Sequence, residues 1–293
     1  MTAHERVVGL GYGLAAFGIW AFAPLFWKLL VHVPAVEVLA HRVIWAAIVF
    51  SLLARWQGLS PWRSWRQPKL RWVFLASAGL LATNWGVFVY AVETERVLHA
   101  SLGYFINPMV SVLLGALVLG ERLRRLQWFA TAFAVAGVAQ LAAGAGGVPW
   151  IAMVLAGSFG TYGLVRKLAP RGALEGSTLE SWVMAPIGLI YVGWSLAPPS
   201  TSTLSGGDMG LLALSGPITA APLLLFAHAA RRLPLSTIGF LQYVAPTGQF
   251  LIAVVAFGEA FEAVHLRSFA CIWMGVGLFS FDVWRHRVRE RGA

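Results

Sequence analysis

The segment NPMVSVLLGALVLGE (residues 107–121) returns as APTGQFLIAVVAFGE (residues 245–259), so the chain contains an internal repeat. In both copies a proline is followed by eleven mostly apolar residues and then by Gly-Glu, at an offset of 138 residues. A second pair, FGIW (residues 17–20) and FGTY (residues 159–162), recurs at an offset of 142 residues. Two motifs that recur at nearly the same offset indicate an internal duplication.

The composition around these repeats is that of a membrane protein. Hydrophobic residues make up 58% of the 293 residues and charged residues 12%, and the mean hydropathy is +0.72. Soluble domains average about 25% charged residues. The difference excludes a water-soluble enzyme, a disordered tail and a DNA-binding domain. Cys271 is the lone cysteine, so neither an intramolecular disulfide nor a cysteine-based metal site is expected.

Ten segments are long and apolar enough to cross a bilayer as helices. A hydrocarbon core about 30 Å thick requires about 20 residues at a rise of about 1.5 Å per residue. The predicted spans 1 to 10 are Val7–Leu30, Val36–Ala54, Trp72–Val92, Val97–Leu119, Leu126–Ala145, Val148–Val165, Ser177–Leu196, Met209–Ala230, Pro234–Gly258 and Ala263–Phe281. The sequence therefore predicts an all-α integral membrane protein of ten transmembrane helices.

The basic residues orient these helices. The net charge is +10, and with the N-terminus inside, 18 Lys and Arg residues fall on cytoplasmic loops and tails, Arg166 among them. Only Lys28, Arg96 and Arg267 fall outside, while Arg42 lies within span 2. This bias follows the positive-inside rule and predicts cytoplasmic N- and C-termini. The excess charge is thus assigned to the lipid bilayer and not to a nucleic acid.

The duplication divides the chain into two five-helix repeats, residues 1–145 and 146–293. Because five is an odd number, the second copy must cross the membrane in the opposite sense to the first. Inverted repeats of this kind are a transporter architecture, with the substrate site near the bilayer midplane between them. The repeat therefore predicts a carrier.

Four motifs resemble the EamA family of the drug/metabolite transporter superfamily, and within it the RarD-type branch. They are His41-Arg42-Val43-Ile44-Trp45, ASLGYFINP (residues 100–108), Gly120-Glu121 and LQYVAP (residues 241–246). The resemblance implies a ten-helix carrier in an inner membrane of bacterial type. It also implies kinship with exporters of aromatic amino acids and with proteins linked to chloramphenicol sensitivity.

Uncharged polar and aromatic residues at midplane depth are the candidate substrate-binding residues, because polar groups within the membrane are costly and often functional. They are Trp20, Asn84, Tyr104, Asn107, Tyr162, Thr219, Gln242 and Tyr243. The alternative is that the amides join helices and the rings fill space. Prolines inside the spans, which free backbone carbonyls, are the candidate helix breaks or gates. They are Pro24, Pro108, Pro222 and Pro246, and a simple kink is the alternative for each.

Charged residues near the span ends are interpreted mainly as structural. Arg42, six residues into span 2, is expected to reach toward the interface or to pair with Glu37. Glu180 is the one acid clearly inside a span and is the candidate for proton coupling. Facilitated diffusion is the alternative. The Gly-Glu pairs at 120–121 and 258–259 are expected to end helices.

The leading hypothesis is a secondary transporter that exports small neutral or zwitterionic metabolites by alternating access around a central midplane cavity. Amino acids, including aromatic ones, are its first candidate substrates, because the predicted midplane is neutral and rich in aromatic residues. The alternatives are an exporter of neutral drugs such as chloramphenicol-like compounds, and a passive channel. No phosphate-binding loop or H-E-x-x-H motif is present, so no enzyme, cofactor or metal is expected. The sequence assigns no oligomeric state.

Overall fold

The computed structural model describes residues 3–143, 150–195, 197, 204–258 and 263–291. Within these ranges the chain is helical and contains no strand. The helices are α1 (Ala3–Trp27), a 3₁₀ turn (Lys28–Leu30), α2 (Ala35–Trp56), α3 (Pro61–Trp65), α4 (Pro68–Glu93), α5 (Val97–Leu117), α6 (Arg125–Ala143), α7 (Trp150–Leu168), α8 (Ala173–Ser195), α9 (Gly206–Arg232), α10 (Leu235–Gln242), α11 (Val244–Phe257) and α12 (Ala263–Arg291).

The helices begin and end at residues suited to those positions. Pro68 is the first residue of α4, where its missing N–H has no helical partner to lose. Gly120 and Gly258, just after α5 and α11, have φ of 65° and 72°, the left-handed conformation that glycine adopts without strain. Ser205 and Asp208 form a capping box at the start of α9. Local sequence therefore sets these helix boundaries.

The Gly-Glu pair after α5 connects the two halves of the chain. The Glu121 carboxylate accepts hydrogen bonds from the backbone N–H groups of Leu235 (2.6 Å) and Ser236 (3.0 Å), at the start of α10. A carboxylate there satisfies free N–H groups and interacts favourably with the helix dipole. The structural interpretation of Gly120-Glu121 is therefore confirmed, whereas Glu259 lies outside the described residues.

Eight helical segments of the described chain are long and apolar enough to cross a membrane: α1, α2, α4, α5, α6, α9, the α10–α11 pair and α12. The 19-residue α7 and the 23-residue α8 are long enough but less apolar, since they hold Arg166, Lys167 and Glu180. Large apolar side chains such as Leu52 and Val255 remain exposed, as lipid contact requires. The prediction of an all-α integral membrane protein is confirmed at this level.

Span 9, predicted as one helix over Pro234–Gly258, is broken at Tyr243 between α10 and α11. Proline has no N–H and clashes with the carbonyl four residues earlier. Restarting the helix places Pro246 in the first turn of α11, where that hydrogen bond is not needed. The prediction that Pro246 lies in mid-helix is therefore wrong, whereas Pro108 does lie inside the continuous α5.

The two halves of the chain interdigitate into one core. The most extensive helix pairs are α6 with α12, α5 with α7, α1 with α9 and α2 with α8, and each joins the first half to the second. Further pairs are α2 with α9, α4 with α7, α5 with α10, and α1 with α11. The largest buried cluster accordingly draws Phe17, Phe50, Leu81, Tyr162 and Phe226 from five helices. Residues distant in sequence thus share one interior.

Polar contacts sort the helix ends into two groups. At the end that we call the basic end, the contacts are Ser64 with Glu175, Glu121 with Ser236, Arg231 with the Ala169 carbonyl, and Arg124 with Asp282. At the opposite end, His32 Nε2 lies 2.9 Å from Asp208, and the N–H of Ala35 donates to Glu93 at 3.0 Å. The long helices therefore run alternately between two ends.

Candidate functional site

Arg42 lies at the centre of a site built from four helices. Its guanidinium carbon is 4.4 Å from the ring centroid of Trp27 on α1 and 5.1 Å from that of Trp85 on α4. Its Nε donates a hydrogen bond to Thr219 Oγ1 on α9 at 3.2 Å. Aromatic faces attract a cation, most strongly where water is excluded. The half-buried Arg42 is thus held inside the bundle.

This placement differs from the expected structural role of Arg42. Among the described residues, no Asp or Glu carboxylate forms an ion pair with its guanidinium, Glu37 included. Tyr104 on α5 interacts with it electrostatically. The sequence predicts a neutral midplane, but the interior contains the charge of Arg42. The signal available in the sequence was that Arg42 alone among the basic residues could be assigned to neither side of the membrane.

A second polar centre surrounds Glu180. Its carboxylate lies 3.2 Å from Arg166 Nη1 and accepts hydrogen bonds from Ser77 (2.7 Å) and Tyr162 (3.2 Å). Arg166 also donates to the Ala173 carbonyl at 2.7 Å. The Arg166 and Glu180 side chains are only 1% and 2% exposed. Arg166, which the sequence assigns to a cytoplasmic loop, instead lies in the last turn of α7, and its charge is neutralised inside the protein.

The two polar centres occupy equivalent positions in the sequence. Arg42 and Glu180 are separated by 138 residues, the offset that relates Pro108 to Pro246, and each is the eighth residue of its helix. Tyr104 and Gln242 are separated by the same offset. One repeat thus carries a cation flanked by tryptophans where the other carries a paired carboxylate.

Aromatic rings fill the space between α1, α7 and α9. Trp20 is 5.5 Å from Phe17, 5.8 Å from Phe159 and 6.0 Å from Phe226, measured between ring centroids. Phe159 in turn lies 5.6 Å from Tyr162. The structure therefore brings the predicted residues Trp20 and Tyr162 into one cluster, with Phe159 between them and the Glu180 centre at its edge.

Asn84 joins two helices. Its Nδ2 donates to the Leu155 carbonyl at 2.9 Å and to Ser158 Oγ at 3.0 Å, which ties α4 to α7. These contacts match the alternative in which amides hold membrane helices together.

Three other predicted residues keep unsatisfied polar atoms. Gln242 donates from Nε2 to Ser111 Oγ at 3.0 Å. Within the described part of the chain, Gln242 Oε1, Asn107 Oδ1 and the Tyr243 hydroxyl are buried without a hydrogen-bond partner. A buried polar atom without a hydrogen-bond partner is costly, so these three atoms require a structural or functional explanation.

The predicted prolines differ in their surroundings. Pro24 and Pro222 lie inside the helices α1 and α9, as expected. The carbonyl of Pro108 faces Gly239, where an added Cβ would lie 2.6 Å from that oxygen. The glycine therefore permits α5 and α10 to cross closely beside Pro108.

The larger surface groove does not contain the predicted residues. Its volume is about 530 Å³, and it lies between α1, α11 and α12, lined by apolar residues including Phe22, Leu251 and Trp273. A void of about 10 Å³ borders Pro108 and Tyr243. In the described ranges no group of three or more His, Cys, Asp or Glu side chains could hold a metal ion.

Comparison with known proteins identifies the family. Residues 7–142 match the model of the EamA-like transporter family. An uncharacterized transporter of Pseudomonas aeruginosa is 45% identical over 97% of this chain and 96% of that protein. Protein RarD of Escherichia coli is 41% identical over 96% and 97% of the two chains. Chloramphenicol-sensitive protein RarD of Pseudomonas aeruginosa is 33% identical over 94% and 95%.

A solved crystal structure has the same fold. It superposes with a TM-score of 0.73 at 21% identity and covers 97% of this chain and 99% of that one. The apolar helices and the bacterial relatives, one of which is named as a transporter, make this a multi-pass inner-membrane protein. The chain belongs to the EamA-like transporter family, in its RarD-type branch.

Proposed function

We propose that this transporter exports small neutral or zwitterionic metabolites, with amino acids, including aromatic ones, as its first candidate substrates. The observation that carries this proposal is the interior itself: aromatic rings lie beside Arg42, and the amide oxygens of Asn107 and Gln242 are buried without a hydrogen-bond partner among the described residues. Ligand sites combine apolar walls with a few such polar groups. An amino acid has an apolar side chain for the aromatic walls, and carboxylate and amino groups for the polar side chains.

Ten transmembrane helices, with both termini in the cytoplasm, form two inverted repeats over residues 1–145 and 146–293 in this proposal. The packing supports it, because interfaces occur in matched pairs. The contact of α1 with α9 has its counterpart in that of α7 with α4, and the contact of α5 with α7 in that of the α10–α11 pair with α1. The family model also matches within the first of these repeats. Alternating access then amounts to rocking one repeat against the other around a central midplane cavity.

The substrate residues in this proposal are Trp20, Asn84, Tyr104, Asn107, Tyr162, Thr219, Gln242 and Tyr243. Tyr104 and Gln242 are the sharpest tests, because the repeat offset relates them and Tyr104 interacts with Arg42. Replacing either with alanine is expected to weaken transport while leaving expression intact. Pro24, Pro108, Pro222 and Pro246 would serve as gates through the helix irregularities that they cause.

Proton coupling through Glu180 is a separate part of the proposal. Its carboxylate would have to exchange Arg166 for a proton during the cycle, so coupling requires the pair to separate. In Glu180→Gln, transport should then lose its pH dependence. Transport with unchanged rate and pH dependence would dismiss coupling through this residue and favour facilitated diffusion.

The second candidate function is export of neutral drugs, and a relative favours it. A protein 33% identical to this chain is named for chloramphenicol sensitivity. The same aromatic interior could hold such a compound without using the charge of Arg42. Competition between chloramphenicol and an amino acid for transport would distinguish the two candidates.

The test is flux into liposomes that contain the purified protein. Labelled phenylalanine is supplied over a range of concentrations, with unlabelled threonine or chloramphenicol as competitor and protein-free liposomes as control. The proposal predicts a flux that saturates and that amino acids inhibit. Inhibition by chloramphenicol alone would favour the drug exporter, and a flux that rises without saturation would favour a passive channel.

A further inference from the structure

We propose that Arg42 is the binding residue for a carboxylate group of the substrate, so that the transported compounds are organic acids or amino acids. This inference rests on the proposed transport function and narrows its substrate class. Its basis is a guanidinium inside the membrane region whose charge no described carboxylate neutralises. Ionised residues at such depth are costly unless paired, and they mark substrate or ion pathways.

The contacts of Arg42 leave one edge of the guanidinium available. Nε donates to Thr219, and the ring centroids of Trp27 and Trp85 lie 4.4 Å and 5.1 Å from the guanidinium carbon. Among the described residues, neither Nη atom of Arg42 donates a hydrogen bond to the protein. Arginine binds carboxylates through two parallel N–H···O bonds, in a plane that stacking on aromatic rings can fix. The two Nη atoms are therefore suited to bind an anion that has two oxygens.

Arg166 provides the internal comparison. It is the other described arginine held deep in the helix bundle, and its charge is neutralised by Glu180 at 3.2 Å while Ala173 binds its second nitrogen. The charge of this structural guanidinium is thus paired with a carboxylate, although its Nε has no hydrogen-bond partner among the described residues. Arg42 lies at the position equivalent to Glu180 in the other repeat, yet it has no such partner among the described residues. The missing partner is supplied by the substrate.

The geometry also separates two classes of substrate. An amino acid or an aromatic acid can place its carboxylate on the Nη edge and its apolar part among neighbouring rings. A neutral amide or a neutral drug leaves the guanidinium unpaired and gains only the aromatic contacts. Wild-type protein should therefore bind an acid more tightly than the amide of the same shape.

Binding to purified protein in detergent tests the inference. Cys271, the lone cysteine, is partly buried, so a thiol-reactive dye reports unfolding. A ligand that binds only the folded protein raises the Tm by an amount that grows with its concentration relative to its Kd. The probes are L-phenylalanine, 3-phenylpropionate and 3-phenylpropionamide, the neutral amide of the second acid. The variants are Arg42→Gln, Arg42→Lys and, as the matched control, Arg55→Gln, which removes the charge from an exposed position on the same helix.

Both acids should stabilise wild-type protein and Arg55→Gln alike. Arg42→Gln should bind them about thirtyfold more weakly or worse, since removing one partner of a buried charge pair has that effect. Arg42→Lys keeps the charge but lacks the planar guanidinium, so its affinity for the acids should lie between those of wild type and Arg42→Gln. The amide should bind weakly to all of them.

Three results would overturn the inference: acids that bind Arg42→Gln as well as wild type, an amide that binds wild type as tightly as its acid, or no binding of either acid. If Arg42→Gln does not fold, Thr219→Val takes its place, because losing the acceptor of Nε tilts the fork and should weaken acid binding severalfold. Acid binding without flux in liposomes would refute transport and leave the carboxylate site standing. Saturable phenylalanine flux that Arg42→Gln leaves unchanged would refute the carboxylate site and leave the transport function standing.

Discussion

The buried pair of Arg166 and Glu180 makes the strongest stability prediction. In Arg166→Met the side-chain volume is largely kept, but the Glu180 carboxylate loses its cation and retains only the hydroxyl donors of Ser77 and Tyr162. Removing one partner of a buried ion pair costs about 3–5 kcal/mol. At about 2–4 °C per kcal/mol for a chain somewhat shorter than this one, the Tm should fall by about 6–20 °C.

The double variant Arg166→Met, Glu180→Gln separates the charge from the packing. Replacing both charged groups with neutral ones of similar shape is often close to neutral, so the double variant should recover most of the lost stability. Arg55→Met, at an exposed position, is the control and should leave the Tm within about 1–2 °C of wild type. The Tm of wild type and of the three variants is measured by unfolding the purified proteins in detergent with a thiol-reactive dye.

Two results would refute this reasoning. One is a stability of Arg166→Met within about 1 kcal/mol of wild type, which would mean that the carboxylate is not held as a buried anion. The other is a double variant as unstable as the single one, which would assign the loss to packing and not to the uncompensated charge of Glu180.

Three further predictions concern packing, capping and transport. In Gly216→Ala the new Cβ would lie 2.5 Å from Trp45 Cβ and 2.7 Å from the Trp45 carbonyl carbon, so the Tm should fall by an amount equivalent to about 1–3 kcal/mol. In the control Gly210→Ala, on the same helix, the new Cβ meets open space and the Tm should not change. Equal losses of Tm in the two variants would contradict the packing argument. Glu121→Ala leaves the first N–H groups of α10 without an acceptor and should cost about 1 kcal/mol in the same assay, with an unchanged Tm counting against the cap. Gln242→Ala should lower phenylalanine flux at normal expression, and wild-type flux would remove this residue from the site.

The elements that could be predicted from the sequence are those set by local composition. Apolar length located the long helices, and Gly120 with Glu121 located the end of α5, because left-handed glycine and a capping carboxylate act within a few residues. The break at Tyr243 could not be predicted, since one proline was absorbed inside α5 and its counterpart, Pro246, was accommodated by restarting the helix. Surrounding packing decides between these outcomes.

The candidate site was less predictable, because its partners come from helices far apart in sequence. Trp20 and Tyr162 were identified from their depth, but nothing local indicated that Arg166 turns inward to meet Glu180, 14 residues later. Arg42 was identified as a residue inside span 2, yet its role depends on Trp27 and on helices that follow much later in the chain. Charge neutralisation across an interior is a tertiary property and leaves no periodic pattern.

Counterflow is the measurement that distinguishes a carrier from a channel in this protein. Liposomes containing the protein are loaded with unlabelled phenylalanine and diluted into a trace of labelled phenylalanine, so that the outward gradient must drive label inward through the same site. A carrier that alternates access predicts a transient accumulation of label above its external concentration, absent from protein-free liposomes. Label that only approaches the external concentration while the protein still conducts it would contradict the account and indicate a channel.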